Sequence, residues 1–83
     1  MVEMASEAEM FGNALKRWRE KRKLTQEALA HEAGITSSYA GQVERGAKVP
    51  SLTVVLKLCG ALDCTPGDLL SDFTLPTIRR LFK

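Results

Sequence analysis

Two cysteines, one histidine and three prolines are all that this chain of 83 residues has of those types, and each scarcity excludes something. A structural zinc site needs about four ligands at recognisable spacing, and Cys59, Cys64 and the distant His31 cannot supply them. Both cysteines stand where small apolar residues would pack, so they are expected as buried free thiols. His31 is expected at the surface of its helix. No apolar run approaches the roughly 18 residues of a membrane span. The first residues are acidic and lack the apolar centre of a signal peptide, which points to the cytoplasm and away from membranes. Strand alternation, internal repeats and low-complexity tracts are missing too. No Cys/His pairing, acidic dyad or phosphate-cradling glycine loop is present, so no enzyme, metal or cofactor is expected.

What is present fits one small folded domain. The apolar fraction is 45%, the charged fraction 27% and the net charge +2. A core of this size is marginal, so helix caps and partner surfaces matter. The charge is unevenly spread. Residues 1–15 carry Glu3, Glu7 and Glu9 without a base, whereas residues 16–23 (KRWREKRK) hold six bases against Glu20. That run is either a phosphate-facing patch or a solvated helix face.

Helical signals run along the chain. Residues 1–10 are expected as a flexible lead. Ser6 followed by Glu9 fits a capping box, so the first helix starts there or nearer Phe11. Phe11, Leu15 and Trp18 make its buried stripe, which Leu24 closes. Further on, Ser51 caps a helix over 52–62, with Leu52, Val55, Leu56, Cys59 and Leu62 expected inside and Leu58 at the edge. Thr65 caps a short helix that has Pro66 at its first position and Leu69 and Leu70 buried. Residues 72–76 then read as a linker-like break. The last segment, 77–83, sets Ile78, Leu81 and Phe82 on one helical side. That side either folds back on the core or buries itself in a second copy.

The organising stretch is residues 25–46. Thr25 caps a helix over 26–33, Gly34 stops it in the left-handed conformation, and Ile35 follows as the apolar residue that such a stop wants. Thr36 caps a second helix, 37–45, before Gly46 ends it. The turn between the two has only about three or four residues, the length of a helix-turn-helix connection. At about 100° per residue, Ala40, Val43 and Thr36 fall on one side of the second helix. Ser38, Gly41, Gln42 and Arg45 fall on the other, with Ser37 and Tyr39 on the shoulders. Hydroxyl and amide groups both donate and accept, as base edges in a major groove require. Gly41 weakens a helix interior by about 1 kcal/mol relative to alanine. Either it lets the backbone approach DNA closely or it is a tolerated weakness.

Residues 11–70 resemble the lambda-repressor/Cro-type (XRE-type) helix-turn-helix domain. The resemblance is carried by L-x-x-x-R-x-x-x-x-L-T-Q-E-x-L-A from Leu15, A-G-I-T from Ala33, V-E-R-G from Val43, P-S-L from Pro50 and D-x-x-x-G-D-L-L from Asp63. It implies an all-α, compact five-helix domain over 11–70 and leaves 71–83 as a C-terminal tail. Position by position, it implies base contacts from Ser37, Ser38 and Gln42. Contacts to the DNA backbone are implied from Gln26, Thr36, Tyr39, Arg45 and Lys48, and an ion pair between Arg19 and Glu44. Three positions depart from the family: Lys23 replaces a frequent glycine, Ala40 a branched aliphatic and Gly41 a serine. The expected function is a sequence-specific DNA-binding transcriptional regulator such as a repressor. It would be a homodimer on double-stranded DNA, with Ile78, Leu81 and Phe82 as candidate dimer contacts. The alternative is an antitoxin or accessory regulator that acts mainly through a protein partner held by the tail.

Overall fold

The computed structural model describes residues 5–83, which form six helices and, among the described residues, no strand. They are α1 (Glu7–Lys21), α2 (Gln26–Ala33), α3 (Ser37–Glu44), α4 (Leu52–Leu62), α5 (Pro66–Leu69) and α6 (Leu75–Leu81). Each starts at a hydroxyl side chain that takes an otherwise unpaired backbone N–H: Ser6, Thr25, Thr36, Ser51, Thr65 and Thr74. Of the two starts open to α1, the structure has the earlier one. Ser6 Oγ accepts from Glu9 N at 3.1 Å, and Glu9 Oε1 accepts from Ser6 N at 3.0 Å. Residues 7–10 of the expected flexible lead are therefore the first turn of a helix, and residues 1–4 lie outside the described residues. The tail differs in the same way. α6 begins at Leu75, not after Pro76, because a proline in the first turn removes no hydrogen bond that the helix needs.

The core draws on five helices. Phe11 and Leu15 of α1 meet Leu29 and Ala33 of α2, Val43 of α3, Val55, Leu58, Cys59 and Leu62 of α4, and Leu69 of α5. Leu15, Leu29, Leu58 and Leu62 are fully buried, and each such side chain contributes about 1.5–3 kcal/mol of transfer free energy. The inner face of α4 is a correction to the sequence reading. Leu58 lies inside at 0% exposure, whereas Leu52 and Leu56 are 72% and 50% exposed. Val55, Leu58, Cys59 and Leu62 make one i, i+3, i+4, i+7 stripe against α2 and α5; Leu56 stands well to one side of it, and Leu52, near Cys59 in angle, is exposed at the first position of the helix. Leu70 is half-buried rather than buried. Two turns place non-glycine residues in the left-handed region: Lys23 (φ 59°) after α1 and Asp63 (φ 55°) after α4. For Lys23 this is a conformation that glycine adopts freely and that costs a side chain about 1–2 kcal/mol.

Cys59 is buried and Cys64 half-buried, and both are free thiols. Burial pushes both up. Cys64 rises from 9.0 to about 11, through burial first and the neighbouring Cys59 second. Only the thiolate is nucleophilic. At pH 8, iodoacetamide should therefore label Cys64 in the native protein roughly 100-fold more slowly than in the urea-unfolded chain. Mass spectrometry of a labelling time course checks this, and equal rates in the two states would contradict it. No described helix is long and apolar enough to cross a membrane.

Candidate nucleic-acid interface

α2 and α3 are joined by the three residues Gly34, Ile35 and Thr36. Gly34 takes φ 70°, ψ 34°, and the N–H of Ile35 returns to the Ala30 carbonyl at 3.0 Å, closing the end of α2. Ile35 packs on the core, which fixes where α3 departs. The hydroxyl of Thr36 accepts from the Tyr39 N–H at 3.0 Å. At the far end, Gly46 (φ 76°) turns the chain, and Ala47 N donates to the Gln42 carbonyl at 2.9 Å.

This short rod is gripped from one side. Ala40 and Val43 are completely buried. A side chain at Gly12 of α1 would stand 2.5 Å from the carbonyl oxygens of both Val43 and Glu44, so α1 and the last turn of α3 touch backbone to backbone. A side chain at Gly46 would stand 2.8 Å from Glu9 Cγ. The other side of α3 is open. Ser37 and Ser38 at its N-terminal end are exposed, Gln42 and Tyr39 are half-buried, and Arg45 and Lys48 at its C-terminal end are exposed. Tyr39 leans against the core cluster while keeping part of its surface in solvent.

Beneath that rim lies a charged pair. Glu44, whose side chain is 3% exposed, accepts from Arg19 Nε at 2.6 Å and from Nη2 at 3.1 Å. Arg19 Nη1 also donates to the Leu24 carbonyl at 2.8 Å, which ties the α1–α2 turn into the same site. Hydrogen bonding to Glu44 holds the Arg19 guanidinium above its already high value. Gln26, the first residue of α2, donates from Nε2 to Glu44 Oε1 at 3.1 Å. One of its amide hydrogens is thus committed inward. Its second amide hydrogen and the N–H groups of the α2 N-terminus are what an anion could meet.

Gly41 belongs to the open rim by helical angle, yet it is buried. Arg45 Nη1 and Gln26 Oε1 cover it, 3.1 and 3.4 Å from where a Cβ would stand. Helical spacing alone could not show this, since the cover comes from a neighbouring helix and from a long side chain folding back.

Much of the basic run 16–23 is occupied within the molecule. Arg17 pairs with Asp72, and Arg22 donates to the Asp63 carbonyl at 3.0 Å. Lys21 and Arg22 lie over the Trp18 ring, 4.8 and 5.7 Å from its centroid. The ring contacts are local to the end of α1, whereas Arg22 and Arg17 fasten α1 to the α4–α5 turn and to the tail. Phe73 packs on the core, but α6 buries no residue of its own. Ile78 is 41% and Phe82 66% exposed, and Leu81 is half-buried.

The geometry has known counterparts. The helix-turn-helix family profile matches residues 15–69, about two thirds of the chain. The solved restriction-modification controller protein C.AhdI from Aeromonas hydrophila is similar to this chain, with a TM-score of 0.74 and 43% identity. The match covers 76% of this chain and 96% of that one. The P22 c2 repressor, solved in complex with a synthetic operator, aligns at a TM-score of 0.66 and 32% identity over 71% of this chain and 89% of that one. YazB of Bacillus subtilis (strain 168), named as an uncharacterized helix-turn-helix-type transcriptional regulator, is 32% identical over 63 residues. Those residues are 76% of this chain and 91% of YazB. By its two capped helices, their three-residue turn and these likenesses, the chain belongs to the helix-turn-helix family of DNA-binding transcriptional regulators.

Proposed function

We propose that this regulator acts as a homodimer on a near-palindromic operator, with α3 of each copy in a major groove and half-sites about 34 Å apart. The observation that carries this reading is the one-sided grip on α3. Its apolar side is locked to α1 and the core, while Ser37, Ser38 and Gln42 remain accessible on the opposite rim. Those side chains discriminate bases, Gln42 pairing with adenine through its amide. Gln26, Thr36, Tyr39, Arg45 and Lys48 surround them at positions suited to phosphates, which supply most of the affinity and its salt dependence. The apolar side of α6, with Ile78 and Phe82 exposed and Leu81 half-buried, supports a second copy as the other half of the reader. Regulation follows from occupancy alone, by occlusion or recruitment of polymerase, and requires no catalysis.

Selection of bound duplexes from random DNA tests all of this together. The expected result is two inverted half-sites one helical turn apart. Gln42→Ala should relax preference at one position per half-site by about 1–3 kcal/mol and leave the rest unchanged. A single asymmetric site would overturn the dimer, and an unchanged base preference would remove Gln42 from the reading set.

A further inference from the structure

A glycine in the middle of α3 weakens that helix relative to alanine, yet the atoms packed over Gly41 give its missing side chain a use. Arg45 leaves α3 at its C-terminal cap and folds back one turn, so that Nη1 lies 3.1 Å from where a Cβ of residue 41 would stand. Gln26 Oε1 reaches the same strip from α2, at 3.4 Å. The orientation of that amide is dictated from below: its nitrogen is turned onto Glu44, which is itself clamped by Arg19. Its oxygen therefore lies over Gly41, on the strip that the Arg45 guanidinium also covers. A series of groups runs from the buried pair to the rim, Arg19 to Glu44 to Gln26 to Arg45, and its last step crosses the space that residue 41 leaves empty.

We propose that Gly41 is a positioning residue: by carrying no side chain it seats the Arg45 guanidinium beside Gln26, at the N-terminus of α2, to hold a DNA phosphate. The inference rests on the regulator reading above. A guanidinium left at the end of α3 would sweep through solvent. Seated over Gly41, it presents a planar pair of donors on the strip that the side chain of Gln26, the first residue of α2, also reaches, and a guanidinium and a helix N-terminus both favour an anion. A phosphate, not a base edge, is the partner, because the strip over Gly41 that Arg45 covers is shared with Gln26, the first residue of α2, where helix-end N–H groups favour an anion. Any Cβ at position 41 falls tighter against Nη1 than ordinary contact allows, and the flexible guanidinium is what gives way.

The test compares the full chain with Gly41→Ala, Arg45→Ala and the double variant, on the selected operator and on an unrelated duplex, across a range of salt. Gly41→Ala should melt at the same or a higher temperature than the parent, yet bind both duplexes a few-fold more weakly. Arg45→Ala should lose roughly tenfold on both, the size of one charge-assisted hydrogen bond. Each loss should come with a shallower dependence of log K on log salt, by up to about one in slope. In the Arg45→Ala background, Gly41→Ala should change neither affinity nor slope, because it acts only through Arg45. Additive losses in the double variant, or full affinity and slope in Gly41→Ala, would overturn the inference. So would a loss confined to one base pair of the operator, which would make Arg45 a base reader. A parent chain that binds no duplex at low salt refutes the regulator reading itself, and the inference falls with it.

Discussion

Arg19→Met should lower the free energy of unfolding by about 3–5 kcal/mol, and with it the thermal midpoint by well over 10 °C. The expected size comes from burial rather than from the pair's own attraction. Taking two charges out of water nearly cancels what they gain from each other, so an intact buried pair adds little stability. Removing one partner is different. Methionine fills much the same space as the arginine stem but leaves Glu44, 3% exposed, with Gln26 as its one remaining side-chain donor among the described residues. It also strips the Leu24 carbonyl of its 2.8 Å partner. A surface ion pair would behave otherwise, since exposed pairs are worth about 0–1 kcal/mol. The double variant Arg19→Met with Glu44→Leu separates the two cases. It removes the stranded carboxylate and should recover a large part of the loss, a coupling that a cycle of the four proteins measures directly. Urea titrations followed by circular dichroism read all four. A single variant within about 1 kcal/mol of the parent would show that the pair is as weakly held as a surface one. DNA binding should fall further than stability alone explains, since the same pair joins α1 to the last turn of α3, the helix proposed to enter the major groove.

The sequence shows the fold more fully than the site, for a physical reason. Caps are local: a serine or threonine ahead of an apolar-periodic segment needs nothing from elsewhere to accept an N–H three residues on. Ser6, Thr25, Thr36, Ser51 and Thr65 are accordingly legible as helix starts. The glycine stop and apolar follower at Gly34 and Ile35 are equally local, and they set the turn. α4 is where local information runs out. Four leucines in eleven residues satisfy more than one helical stripe, and only the placement of α2 and α5 decides that Leu58 goes in while Leu52 and Leu56 stay out. α6 was obscured by Pro76, which looks like a break until Thr74 is seen to cap the helix ahead of it. In the interface, the polar types on the α3 rim follow from angle alone. The inward turn of the Gln26 amide does not, because its partner Glu44 lies 18 residues away on another helix. The cover over Gly41 depends in turn on that amide and on an arginine rotamer, and no periodicity encodes either.

Gly12→Ala should destabilise the protein by about 2 kcal/mol, although propensity argues the reverse by about 1 kcal/mol for a glycine inside a helix. Contact decides which effect wins. The added methyl would stand 2.5 Å from two carbonyl oxygens, of Val43 and Glu44, and 2.9 Å from the Glu44 carbonyl carbon. These are backbone atoms and cannot rotate aside, so α1 and α3 have to part, loosening Val43 and Leu15 in the core between them. Gly60 provides the internal control. It too lies within a helix, α4, but nothing stands within 4 Å of its Cβ position, so Gly60→Ala should stabilise by up to about 1 kcal/mol. The same substitution at two helical glycines is thus expected to have opposite signs, readable as opposite shifts of the urea midpoint at unchanged slope. If Gly12→Ala proved as benign as Gly60→Ala, the backbone approach of α1 to α3 would not be what holds α3 in place. If Gly12→Ala unfolds early and also loses operator affinity at temperatures where it remains folded, that approach sets both the stability of the domain and the pose of its interface.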